Sequence, residues 1–165
     1  MTPIVFLDMD GVLVTRATCG KPRQDPPYDC YSRVDPACVA QLNRITDATG
    51  AVIVVSSSWR HGSERRFQKL KVYLADMGVH ARIIGRTPQL SGWTGTIWVS
   101  KQRGDEIQDW ISAAGADVPF VILDDESDMA HLKHRLVQTT FDHGLTREHA
   151  DAAIAMLSQE VPRVA

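Results

Sequence analysis

Short, almost unbroken apolar runs alternate along this chain with longer stretches in which apolar positions recur every three or four residues. The runs Pro3–Leu7, Ala51–Val55, Ala81–Ile84, Phe120–Leu123 and Arg135–Thr139 read as strands. The first, second and fourth are apolar at nearly every position, as expected of parallel strands buried on both faces. The stretches Pro36–Ala48, Ser63–Met77, Gly104–Ala114 and Thr146–Leu157 read as amphipathic helices. Asp35 is placed as the N-cap of the first, with Pro36 at its first position and Gly50 at its end, and Thr146 is placed to cap the last. Alternation of this kind, joined by right-handed crossovers, predicts an α/β fold with a doubly wound, Rossmann-like parallel sheet of five strands.

One segment breaks the rhythm. Residues 20–36 (GKPRQDPPYDCYSRVDP) hold four prolines and little periodicity, and read as a loop or flap, the insertion spanning about residues 15–35. At 165 residues the chain suits a single domain over 1–165 with one well-buried core. A formal charge of -2 and a pI near 6.3 give no general attraction to polyanions, so any anion site must be local. Cys19, Cys30 and Cys38 are odd in number and irregularly spaced, which argues against a disulfide framework or a zinc site and favours free thiols. No apolar run approaches the roughly 20 residues that span a bilayer, and no secretory leader pattern opens the chain. The expectation is a cytoplasmic protein with no membrane partner.

With strand order 3-2-1-4-5, residues just past strands one, two and four meet at the crevice where ligands bind such sheets. Those residues are Asp8 and Asp10 in FLDMDGV, Ser56 in VIVVSSSWR, and Asp124 and Asp125 in FVILDDESD. SKQRGDEI adds Lys101 and Arg103 at the same rim. Each is ordinary loop punctuation by itself. Gathered together, however, two carboxylates about 4 Å apart repel by about 4 kcal/mol at an effective dielectric of 20, and a divalent cation relieves that repulsion. Hard oxygen ligands without clustered His or Cys favour Mg2+ over zinc. A serine hydroxyl, helix-start N–H groups and a basic side chain are the donors a phosphate needs.

These residues resemble the motifs of the haloacid dehalogenase (HAD) superfamily of phosphohydrolases. DMDGV is similar to its DxDG motif one, the serine closing AVIVVS to motif two, the cation near KQRGDEI to motif three, and ILDD to the acidic motif four. The resemblance implies Asp8 as the nucleophile that forms an aspartyl-phosphate and Asp10 as general acid and then base. It implies Ser56, with Ser57 as alternate, at the phosphoryl group. Lys101 or Arg103 would neutralise charge there, and both stay open. Asp8, the Asp10 carbonyl, Asp124 and Asp125 would hold the metal. Gly11 permits the backbone conformation that returns the loop to the phosphate. Asp128, four residues after Asp124, ranks below that pair as a cap or supporting group.

No segment between motifs is long enough for a large cap domain, so an open site is expected. The continuation Ser58-Trp59-Arg60, with RGDEI and TTFDHGLT, is similar to the HAD phosphatase domains of RNA-repair and polynucleotide kinase-phosphatase proteins. That implies a nucleotide or nucleic-acid end phosphate as substrate, with Arg60 touching its phosphate or sugar. A small phosphorylated metabolite and a non-catalytic phosphate-binding module are the alternatives. Basic and aromatic residues of the flap (Arg16, Lys21, Arg23, Tyr28, Tyr31, Arg33), with Trp93 and Trp98, suit nucleic acid, but Asp25, Asp29 and Asp35 nearly cancel the flap's charge. A monomer or small homo-oligomer is expected. His131 and His134 lack a third ligand nearby and read as surface residues, and Trp110 with Ile107 as core.

Overall fold

The computed structural model describes residues 2–20, 33–93, 95–115 and 118–158, without the side chain of Trp98. Most of the flap, including Tyr28 and Tyr31, lies outside the described residues. In chain order the elements are β1 (Ile4–Leu7), α1 (Pro36–Thr49), β2 (Val52–Val55), a 3-10 turn (Ser58–Arg60), α2 (Glu64–Asp76), β3 (Ile83–Arg86), β4 (Gly92–Trp93), β5 (Trp98–Val99), α3 (Arg103–Ala114), β6 (Phe120–Asp124), a 3-10 helix (Ala130–Arg135), β7 (Leu136–Gln138) and α4 (Arg147–Ser158).

Five strands form one sheet in the order β3-β2-β1-β6-β7, every neighbouring pair parallel. Counted within the sheet this is the expected order. The numbers differ only because an unexpected antiparallel hairpin, β4–β5, sits between the third and fourth sheet strands. The period-two alternation of side chains explains why the apolar runs are continuous. Val5, Leu7, Ile53, Val55, Val121 and Leu123 face a core completed by α1, α2 and α4. Ile4, Phe6, Val52, Val54, Phe120 and Ile122 face a second core with Ile107 and Trp110 of α3 and Leu132 beyond β6. Phe6 meets both Trp110 and Phe120 edge-to-face.

Asp35 caps α1 through the Ala37 N–H, with Pro36 opening the helix and Gly50 closing it in the left-handed conformation. The third strand begins two residues later than expected. Its pairing with β2 is irregular between Ile53 and Val54, and the Arg82 carbonyl accepts the Ile53 N–H just ahead of the strand. Among the described residues, no helix is long and apolar enough to cross a membrane.

Candidate active site

Sheet register builds the site. Leu7 of β1 pairs with Val55 of β2 on one side and Leu123 of β6 on the other. The next residue along each strand is therefore brought to the same level: Asp8 between Ser56 and Asp124, with strands about 4.8 Å apart. The ladder continues through this row, since Ser56 N–H donates to the Leu7 carbonyl at 2.9 Å and Asp8 N–H to the Leu123 carbonyl at 3.0 Å. All three side chains are buried.

Asp125 completes the acidic group. One carboxylate oxygen from each of Asp8, Asp124 and Asp125 lies within 4.8 Å of the others. The approach of Asp125 depends on Gly11, which has φ +78°. A Cβ at that position would stand 2.2 Å from Asp125 Cγ. Gly11 thus makes room for an acid as well as turning the loop, a role its sequence context does not disclose.

Arg103 is the cation that reaches this group. Its Nη1 donates to Asp8 Oδ1 at 2.8 Å and to the Ser56 carbonyl at 2.5 Å, and lies 3.5 Å from Asp124 Oδ2. It is delivered there by Gly104, whose hypothetical Cβ would be 2.1 Å from the Met129 carbonyl oxygen, so only glycine lets the start of α3 press so closely on the chain beyond β6. Asp128 joins the same junction: its carboxylate accepts the Arg103 N–H and its carbonyl the Gly104 N–H. It serves as a cap. Lys101 is exposed, its backbone tied to the Ser91 hydroxyl, and among the described residues its ammonium makes no contact with the acids.

Electrostatics follow from crowding. Burial, then the neighbouring Asp8 charge, pushes Asp124 up to about 7, with Arg103 pulling the other way. Asp125 is raised by burial and by Asp8. Burial works against the Arg103 charge, but Asp8 and Asp124 outweigh it and hold the guanidinium more firmly protonated. With all three carboxylates ionised, one guanidinium leaves two negative charges, which a divalent cation would balance. Asp124 Oδ2, 3.5 Å from the Arg103 guanidinium, is buried without a hydrogen bond and is an acceptor such an ion could use. The donor set fits a hard divalent metal.

The two serines part company. Ser56 Oγ is fully buried with no hydrogen-bond partner, a hydroxyl left over at the floor of the crevice. Ser57 Oγ is occupied, accepting the Trp59 N–H at the start of the 3-10 turn.

Asp10 stands outside the acidic group. Its Oδ2 accepts the Trp59 indole N–H at 2.8 Å. Burial raises its pKa, the indole bond opposes the rise, and Asp8 adds to it.

A family model described as the HAD domain in Swiss Army Knife RNA repair proteins matches residues 4–150. The chain belongs to this family. No curated protein matches it at a significant level. Membership in the HAD superfamily supports a phosphohydrolase-type function, and HAD domains typically use a divalent metal, with which the Asp8, Asp124 and Asp125 group is compatible.

One expected contact of the HAD site is redirected. Arg60, expected at the substrate, is 3% exposed. Its five N–H groups go to the carbonyls of Ser56, Ser57, Thr87 and Pro88 and to the Glu106 carboxylate. Glu106 in turn accepts the Leu90 N–H. Arg60 is therefore a brace beneath the site, joining the motif-two turn, the exit of β3 and helix α3. Only burial and the five acceptors reveal this, and four of those are backbone carbonyls with no sequence signature. His131 and His134 are exposed, bonded to Gln108 and to the His131 carbonyl respectively.

Proposed function

We propose that the protein is a Mg2+-dependent phosphomonoester hydrolase that works through an aspartyl-phosphate on Asp8. The observation that carries this reading is the meeting of Asp8 with a cation, two further acids and a partnerless buried hydroxyl at the end of β1. Mg2+ held by Asp8, Asp124, Asp125 and the Asp10 carbonyl would supply charge neutralisation for the approach of an anionic ester.

The chain's own groups then divide the work. Arg103 and Ser56 Oγ hold the phosphoryl oxygens, and Arg103 orients the Asp8 carboxylate. An Asp8 oxygen attacks phosphorus, the ester P–O bond breaks with its electron pair left on oxygen, and protonated Asp10 gives that oxygen its proton. The alcohol leaves and Asp10 is left as a carboxylate. A water molecule next attacks phosphorus, surrenders a proton to Asp10, and the bond to Asp8 breaks, returning the free carboxylate and inorganic phosphate.

The substrate we assign is a nucleotide or polynucleotide end phosphate. The family's description as a domain of RNA-repair proteins supports it. So does the rim, where among the described residues a two-stranded hairpin is the one addition between β3 and α3 and carries Trp93 at 65% exposure.

The test is hydrolysis of p-nitrophenyl phosphate with Mg2+ by the wild type and Asp8→Asn, followed by a panel of 3′- and 5′-phosphorylated oligonucleotides, nucleoside monophosphates and sugar phosphates. Turnover abolished by Asp8→Asn and highest on the nucleic-acid substrates is expected. Equal turnover in both proteins, or none in either, overturns the enzyme assignment, and highest turnover on sugar phosphates overturns the substrate.

A further inference from the structure

The hydrogen bond between Trp59 and Asp10 has a chemical direction. An indole can only donate, so Asp10 Oδ2 must always be the acceptor in this pair. A neutral carboxyl group accepts best through its carbonyl oxygen, because its O–H oxygen has given electron density to the proton. A donor fixed on Oδ2 therefore leaves the proton to Oδ1. Among the described residues, no other hydrogen bond reaches the Asp10 carboxylate.

The indole is itself held on a stiff support. The Trp59 N–H is tied to Ser57 Oγ at 3.3 Å within the 3-10 turn that leaves β2. Its ring packs on the core, with the fully buried Tyr73 of α2 at a centroid distance of 6.4 Å. The next residue is Arg60, whose guanidinium clamps the same turn through the Ser56 and Ser57 carbonyls. Asp10 lies in the turn after β1, bridged to Val14 and, like Trp59, partly buried. The indole thus meets the Asp10 carboxylate from a fixed direction.

Resting on the phosphohydrolase reading above, we propose that Trp59 is a positioning residue for proton transfer, holding the Asp10 carboxylate by Oδ2 so that Oδ1 carries the proton and faces the departing ester oxygen. A hydroxyl or amide side chain in its place could donate or accept, and would let the carboxyl group reverse. The donor-only indole does not.

Trp59→Phe keeps a ring against Tyr73 and deletes the N–H. It is compared with the wild type on two esters through kcat/KM, which covers only the steps up to departure of the leaving group. A nucleoside 5′-monophosphate needs a proton to release its alkoxide, whereas p-nitrophenolate leaves without one. The expected result is a loss of about tenfold or more on the nucleotide against less than about threefold on p-nitrophenyl phosphate, since general acid catalysis is worth about 10²–10⁴ where a proton is needed. Equal losses on both esters, or none, overturn the positioning role while leaving Asp8-dependent hydrolysis intact. Absence of wild-type activity on both overturns the phosphohydrolase reading as well. A second measurement is independent of turnover: the Trp59 indole N–H resonance, assigned by its disappearance in Trp59→Phe, should move on Asp10→Ala. A resonance that stays in place overturns the contact itself.

Discussion

An alanine at position 11 puts a methyl carbon where Asp125 already is. The added Cβ would lie 2.2 Å from Asp125 Cγ, 2.3 Å from Oδ2 and 2.6 Å from Cβ, all far inside van der Waals contact. Two costs combine. The backbone at φ +78° is unfavourable for alanine by about 1–2 kcal/mol, and forcing a methyl into filled space costs about 1–3 kcal/mol more. Gly11→Ala is therefore expected to lower stability by about 3 kcal/mol in the absence of metal. The second cost depends on Asp125 and the first does not, so in an Asp125→Gly background the same substitution should cost only about 1–2 kcal/mol. On the proposed function, displacement of Asp125 also removes a metal ligand. Mg2+ at about 100 times its dissociation constant stabilises a binding-competent protein by about 2.7 kcal/mol, a gain Gly11→Ala should largely lose. Urea unfolding of the four proteins in EDTA, repeated with Mg2+ for the wild type and Gly11→Ala, measures both effects. An equal cost in the two backgrounds, or undiminished Mg2+ stabilisation of Gly11→Ala, refutes the reasoning.

Two further outcomes separate the roles of neighbouring groups. Arg103→Met should reduce kcat/KM by on the order of 100-fold, while Lys101→Ala should leave it within about threefold; steady-state kinetics on p-nitrophenyl phosphate check both, and the reverse ranking would make Lys101 the working cation. Stability in EDTA should fall as pH rises from about 4 to about 7. Burial and Asp8 raise the Asp124 carboxyl to about 7 in the folded protein, above the ordinary carboxylate value, so the stabilisation is present at low pH and is lost as its proton leaves. Melting temperature against pH, with and without Mg2+, tests this: Mg2+ should reverse the decline near pH 7.5, and a melting temperature that rises between pH 4 and 7 in EDTA contradicts it.

The sheet was legible because it is buried on both faces. Ile4 to Leu7 and Phe120 to Leu123 are apolar throughout, and the acids at their ends stand out against that background. Reading Asp8, Ser56 and Asp124 as neighbours needed only the strand order, and the register places them in one row. What escaped was decided by contacts distant in the chain. The choice of Arg103 over Lys101 rests on how Gly104 seats α3 against Met129, and the duty of Gly11 rests on Asp125, far along the sequence. The β4–β5 hairpin has strands of two residues each, too short for any alternation to show. Arg86 ends β3 as a charged residue that an apolar pattern passes over, because its guanidinium stacks on Phe67 and bonds outward to the Arg60 and Gly62 carbonyls.

The Arg60 brace bears on how this crevice works in time. Separating the motif-two turn from α3 would break a buried ion pair and strand a guanidinium among carbonyls, at a cost of about 3–5 kcal/mol. The floor is therefore open for only about one part in 10²–10⁴ of the time. On the proposed function, a phosphate ester would meet a surface already set, and its binding would require little rearrangement beneath it.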